Sequence, residues 1–307
     1  MNPRLVDEIA NAVLYEGYLL YPYRASALKN RHRFNFGVVV PRDASASDNE
    51  RWSLRTDCLL HGTLDSPIVI RVRFLHLRRP RGGPAVSSGW DEAVEREVRV
   101  EYPVRAVIGK PFQQPFQFDG SALHDAVCGR VDVIGALVGE RLIRIRVVVS
   151  NFTPVDDTEA IRHAVLKRSL VSTHVILQAP SGGEFVSLLD PPAEFQPAAS
   201  ECEHVGLWPV LAGEEHERDA MLASPIILYD YPQIAPESAG DFFDGTEIDE
   251  MLALRILTMT DDEKVQARAT DSRARALLER TESLSEGDMM KLHGVLRGLR
   301  PLGEAPQ

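Results

Sequence analysis

The chain has 307 residues, 44% of them apolar and 26% charged, and a formal net charge of −11. Such a composition suits a globular protein with a sizeable core, in one large domain or two smaller ones. With no run of about 18 apolar residues, it excludes a membrane span. Asp7, Glu8 and Glu16 interrupt the N-terminal apolar pattern and argue against a secretory signal. The three cysteines are widely spaced and odd in number, which argues against a disulfide framework and for a reducing, cytoplasmic setting. Charge is unevenly spread: residues 1–150 carry a balance of +4 and residues 151–307 a balance of −15. The acidic half speaks against nonspecific nucleic-acid binding, which needs clustered cations. Opposed halves can attract each other within or between subunits, so a homo-oligomer is one option and an acidic solvated tail the other.

In chain order, Leu5, Ile9, Val13 and Leu14 recur at helical spacing and predict a helix over about residues 3–19, ended by Gly17 and Pro22. Tyr15, Tyr18, Tyr21 and Tyr23 follow closely upon one another, beside Arg24, Lys29 and Arg31. Phe34–Val40 reads as a strand closed by Pro41. From Trp52 to Phe152 the pattern is mostly period two, clearest in Ile68/Ile70/Val72/Phe74, Val98/Val100/Tyr102 and Leu142–Val149. At His76 the alternation breaks, so a strand end or bulge is expected there. Further on, Thr158–Leu170 predicts a short helix, and Ser172–Gln178 with Phe185–Leu189 reads as a hairpin across Ala179–Gly183. Leu207–Leu211 precedes an acidic loop, and Pro225–Tyr229 reads as a last short strand. Beyond Gly240, capping residues and apolar stripes predict several helices. Strands at this spacing without intervening helices imply antiparallel sheets packed as a sandwich. The expected fold is α+β: an N-terminal helix and tyrosine-rich segment (1–33), a β-sandwich domain (34–239) and a helical C-terminal region (240–307).

Three constellations are candidates for chemistry. Cys58 with His61, Cys128 with His124, and Cys202 with His204 pair potential zinc ligands, but none has the spacing of a zinc ribbon, and small buried hydrophobes explain the cysteines more simply. The acidic segment 241–250 offers Asp244, Glu247 and Asp249 to a hard cation or to acid–base work, although carboxylates are also favoured at a helix start. The tyrosine-rich stretch, with Tyr18, Tyr21, Tyr23, Arg24, Lys29 and Arg31, combines the residue types that dominate protein interfaces. A clamp seating the N-terminal helix on the sheet is the other use for it. Tyr229, Asp230 and Tyr231 form a second segment of similar character with opposite charge, expected to lie against the first with Arg24 facing Asp230. No phosphate loop, nucleophile elbow, zinc-protease pair or dinucleotide fingerprint occurs, which lowers the expectation of catalysis, and no cofactor is expected.

Tyr15–Arg31, together with Ser224–Pro232 and Gly245–Glu250, resembles an uncharacterised bacterial family associated with gene clusters for uptake nickel–iron hydrogenases in aerobic bacteria. The resemblance spans nearly the whole chain and implies a cytoplasmic accessory or assembly role, with no catalytic residue carried over. The expected function is therefore partner binding, to a hydrogenase subunit or maturation factor. The alternative is a metal-handling protein or enzyme that uses segment 241–250 with a Cys/His group.

Overall fold

Alternating apolar residues give a strand one face to bury, and two such faces laid together exclude water from both. In the computed structural model, the described residues are 3–15, 36–45, 50–79, 92–155 and 162–233, with 259–261, 264, 265, 268, 275, 278, 279 and 281–283 towards the C-terminus. The strands among them are β1 Ser53–Gly62, β2 Pro67–Arg78, β3 Glu92–Pro103, β4 Phe112–Phe118, β5 Val127–Leu137, β6 Leu142–Asn151, β7 Val171–Gln178, β8 Gly183–Phe185, β9 Trp208–Leu211 and β10 Ala220–Ser224. They form two five-stranded sheets, β4-β5-β6-β1-β8 and β3-β2-β7-β10-β9, with antiparallel pairing throughout.

The inner faces follow the alternation. Leu54, Cys58 and Leu60 of β1, with Ile143, Ile145 and Val147 of β6, pack in one core with Ile68, Ile70, Val72 and Phe74 of β2 and Val175 and Leu177 of β7. Each fully buried aliphatic or aromatic side chain contributes about 1.5–3 kcal/mol, so this layer dominates the stability of the sandwich. The second sheet is also covered on its outer face. Helix α1, Pro3–Tyr15, lays Val6, Ile9, Ala10 and Val13 on Ile176, Ala220 and Leu222. Around that contact Arg71 pairs with Asp7 at 2.6 Å and Glu97 at 2.8 Å, Arg73 donates to Asn11 at 2.7 Å, and Tyr15 Oη bonds Glu95. The described part is thus a mostly-β sandwich with the N-terminal helix as a third layer.

Several local expectations change. Phe36 and Gly37 form a bend and only Val39 bridges, to Leu170, so 36–40 is not a strand; Gly37 sits at φ 52, and a Cβ there would come within 2.8 Å of Pro225. β2 runs on past His76 to Arg78, paired with β3 all the way, and the irregularity lies between Arg73 and Leu75 against β7. β7 and β8 do not form a hairpin. The free edge of β7 is taken by β10, and β8 crosses to the other sheet to pair with β1, burying Phe185. The last strand among the described residues is Ala220–Ser224 rather than 225–229, because Pro225 has no N–H with which to extend the ladder. β4 is an additional strand, at a sheet edge where Pro115 is tolerated.

Two further helices are short: α2, Arg162–Lys167, lies inside the predicted helix, and α3, Gln196–Ser200, lies within the proline-rich connection. Towards the C-terminus the described helical positions include Lys264, Arg268, Leu278 and Glu282; Leu278 is fully buried, and Glu282 pairs with Arg268 at 2.6 Å. The remainder of the predicted C-terminal helices lies outside the described residues.

Candidate functional site

Proline ends β10, and the chain from Pro225 to Tyr231 then runs without secondary structure, yet it is held at both ends. At its start Ser224 Oγ accepts from Ile226 N at 3.2 Å. At its end Asp230 takes two bonds, from Ser187 Oγ at 2.5 Å and from the Leu211 backbone N–H at 2.8 Å. Tyr231 adopts φ 55, an uncommon conformation for a residue with a side chain. Its N–H donates to Leu211 O at 2.8 Å and its ring packs on the main core. Burial raises the Tyr231 phenol above its ordinary pKa, with Arg218 opposing. Between the two anchors Leu228 packs on the cluster under α1, whereas Ile227, 73% exposed, and Tyr229, 87% exposed, point outwards. A large apolar residue held at such exposure gains nothing from the fold.

A cavity of about 220 Å³ adjoins this segment, lined by Phe36, Arg51, Leu54, Trp208 and Pro225 among others. Phe36 and Trp208 are each just over a third exposed, so aromatic surface continues from the cavity towards solvent. Gly206 backs the cavity at φ 71, and a Cβ there would meet Leu54 at 2.6 Å, so only glycine lets the chain pass so close to β1.

Tyr229, Asp230 and Tyr231 therefore divide into one displayed residue and two anchors. Tyr18, Tyr21, Tyr23, Arg24, Lys29 and Arg31 lie outside the described residues, as do Asp244 and Glu247 of the acidic segment. Both carboxylate oxygens of Asp230 have partners other than Arg24, namely Ser187 and Leu211. Cys58 and His61 sit three apart on one strand, which sends Cys58 into the core and His61 to the opposite face, where its ring lies 5.8 Å from that of Phe195. Burial raises the thiols of both Cys58 and Cys202, the latter to about 11, so they stay protonated and poor as nucleophiles or ligands. Among the described residues no three His, Cys, Asp or Glu side chains converge as a metal site would require. His204 instead approaches Thr56 Oγ1 at 3.3 Å through Nδ1.

An ion-pair group on the first sheet went unread in the sequence. Asp57 is fully buried, and Arg146 grips it with Nε at 2.7 Å and Nη2 at 2.8 Å. The Glu203 N–H donates to the same carboxylate at 3.0 Å, and the Glu203 side chain pairs with Arg146 at 2.9 Å. The hydrogen bonds it donates to Asp57 hold the Arg146 guanidinium well above its ordinary pKa, so it stays charged. Asp57 and Arg146 face each other across β1 and β6, 89 residues apart, a distance over which only the strand register makes them neighbours.

No protein-family model matches the chain, and no curated protein matches it. Among the described residues, no helix is long and apolar enough to cross a membrane.

Proposed function

We propose that the protein is a non-catalytic accessory or assembly protein that binds a protein partner through the surface formed by Ile227, Tyr229 and the aromatic rim of the neighbouring cavity. One observation carries this reading: Ile227 and Tyr229 are displayed to solvent by a segment pinned at both ends, through Ser224 and through Asp230. Exposed apolar residues on a pre-ordered backbone lose little entropy on docking, and aromatic residues of this kind dominate interface energies. Cys58, His76 and His174, whose proton affinities burial displaces, are enclosed in the fold in neutral forms, which suits scaffolding better than proton transfer.

The identity of the partner rests on the resemblance of Tyr15–Arg31, Ser224–Pro232 and Gly245–Glu250 to the hydrogenase-associated family. On that reading the partner is a structural subunit or a maturation factor of a nickel–iron hydrogenase. The test is affinity purification of the full chain from its native host under conditions that induce hydrogenase, followed by mass spectrometry. A hydrogenase subunit or maturation factor recovered in near-stoichiometric amount supports the assignment. Recovery of the chain alone, at concentrations where a micromolar complex would persist, contradicts it.

A further inference from the structure

A separate polar group occupies the space between the sheets at the end of β2 and the start of β3. His76, fully buried, faces inwards from β2, and its ring centroid lies 5.0 Å from that of His124 in the loop between β4 and β5. Arg96 of β3 stands opposite Phe74 in the register, and its guanidinium carbon lies 4.8 Å over the ring of Phe118. Both ring nitrogens of His76, Nδ1 of His124 and Nε of Arg96 are buried without a hydrogen-bond partner. The backbone of Asp125 and Lys167 comes near enough to favour charge on His76 without closing a hydrogen bond.

Among the described residues, what the group lacks is a negative charge. Arg96 makes no ion pair among the described residues, and desolvation lowers its pKa with no carboxylate to offset the effect. Asp125, next to His124 in the loop, is engaged by Arg168 at 3.5 Å. Arg71 and Arg73, on the other face of the same sheet, show what this fold does with arginines it pairs internally: Asp7, Glu95, Glu97 and Asn11 surround them. A guanidinium beside two imidazoles, short of acceptors and without a counter-charge, is the chemistry that recognises a tetrahedral oxyanion.

We propose that Arg96, His76 and His124 form a binding site for a small oxyanion of the sulfate or phosphate class. Arg96 supplies the fixed charge and the imidazoles supply N–H donors. At neutral pH the His76 ring is uncharged, because burial, with Arg96 and His124 beside it, lowers its pKa to about 4. A bound dianion reverses that balance, so binding takes up protons and tightens as pH falls. The charged and titratable groups around the site are His76 from β2, Arg96 from β3, His124 and Asp125 from the loop, Lys167 at the end of α2 and Arg168 just after it.

Sulfate is the probe, since its charge is constant between pH 5 and 8. The full chain is titrated with sodium sulfate and, at matched ionic strength, with sodium chloride, and both the melting temperature and the histidine C2–H resonances are followed. The expected result is a saturable rise in melting temperature specific to sulfate, stronger at pH 6 than at pH 8, with the His76 and His124 resonances moving together. Arg96→Met keeps the side-chain stem over Phe118 and is expected to weaken sulfate at least about tenfold, the scale of one lost charge-assisted hydrogen bond. Equal effects of chloride and sulfate, or undiminished binding by Arg96→Met, overturn the proposal. If that variant does not fold, the wild-type spectra decide: histidine resonances unmoved at saturating sulfate overturn it as well.

Discussion

Two connecting segments of this sandwich are fastened by the same device and used in opposite ways. Residues 196–206 are held on the first sheet by Asp57, whose buried carboxylate takes the Glu203 N–H together with the fork of Arg146. Residues 225–231 are held by Asp230, which takes the Leu211 N–H together with Ser187 Oγ. In each case a carboxylate captures a backbone N–H across the fold, a stronger bond than one between neutral groups. The first segment then turns its apolar side chains inwards: Ala198, Ala199 and Cys202, with Phe195 before them, pack on Leu59, Leu142 and Val186. The second turns Ile227 and Tyr229 outwards. Anchoring that ends in packing is explained by stability, whereas anchoring that ends in display leaves Ile227 and Tyr229 without an internal role, and the proposed docking of a partner assigns them one.

The sharpest test of the inward-facing half is Asp57→Ala, which leaves Arg146 without its buried partner. A loss of about 3 kcal/mol is expected, at the level found when one member of a buried pair is removed. Urea unfolding measures it, and a loss below about 1 kcal/mol would mean that the network adds little to holding 196–206.

Acid acts on the support common to both segments. His76 and His174 are fully buried, with pKa values lowered by desolvation to about 4 and about 3, against 6.5 for an ordinary histidine. Between these values the unfolded chain binds protons that the folded chain refuses, so stability is complete above pH 6.5 and falls as pH drops below it. The slope approaches about 1.4 kcal/mol per pH unit for each histidine. Unfolding measured at pH 7 and pH 5 should therefore differ by about 2–4 kcal/mol. A flat profile would place these imidazoles in contact with water.

Asp230→Ala removes the outward-facing anchor. It leaves the Leu211 N–H and the Ser187 hydroxyl short of an acceptor, at an expected cost of about 1–3 kcal/mol. Hydrogen exchange should then rise at the Leu211 and Tyr231 amides, the two that fasten the segment. Unchanged protection there would show that Tyr231 packing alone holds it.

How much of this was legible in the chain varies with the kind of signal. Period-two runs such as Ile68–Phe74 and Leu142–Val149 read correctly as strands because apolar residues fill one face while Arg71, Arg73, Arg144 and Arg146 mark the other. Ala220–Ser224 is buried on both faces, between the core and α1, so it carries no alternation, and its strand was placed too late in the chain. β8 is three residues long, too short to encode its partner, and the turn residues before it suggested the wrong sheet. The tyrosines at 229 and 231 drew attention to the right segment, but not to the division between them. That division depends on φ 55 at Tyr231 and on Ser187, 43 residues before Asp230. Arg96 could not be recognised as unpaired from sequence, since glutamates flank it at 95 and 97 and only strand parity turns them to the other face.

The smallest effect on stability carries the largest on function. The double variant Ile227→Ser/Tyr229→Ser changes two residues that are mostly in water, so its unfolding free energy should stay within about 0.5 kcal/mol of wild type. Its affinity for the partner that co-purifies with the wild-type chain, measured by calorimetry or surface plasmon resonance, is the most direct test of the account. The prediction is a loss of about 2 kcal/mol or more, roughly thirtyfold in Kd, with stability unchanged. Wild-type affinity in this variant would contradict the assignment of the 225–231 surface as the place where the partner binds.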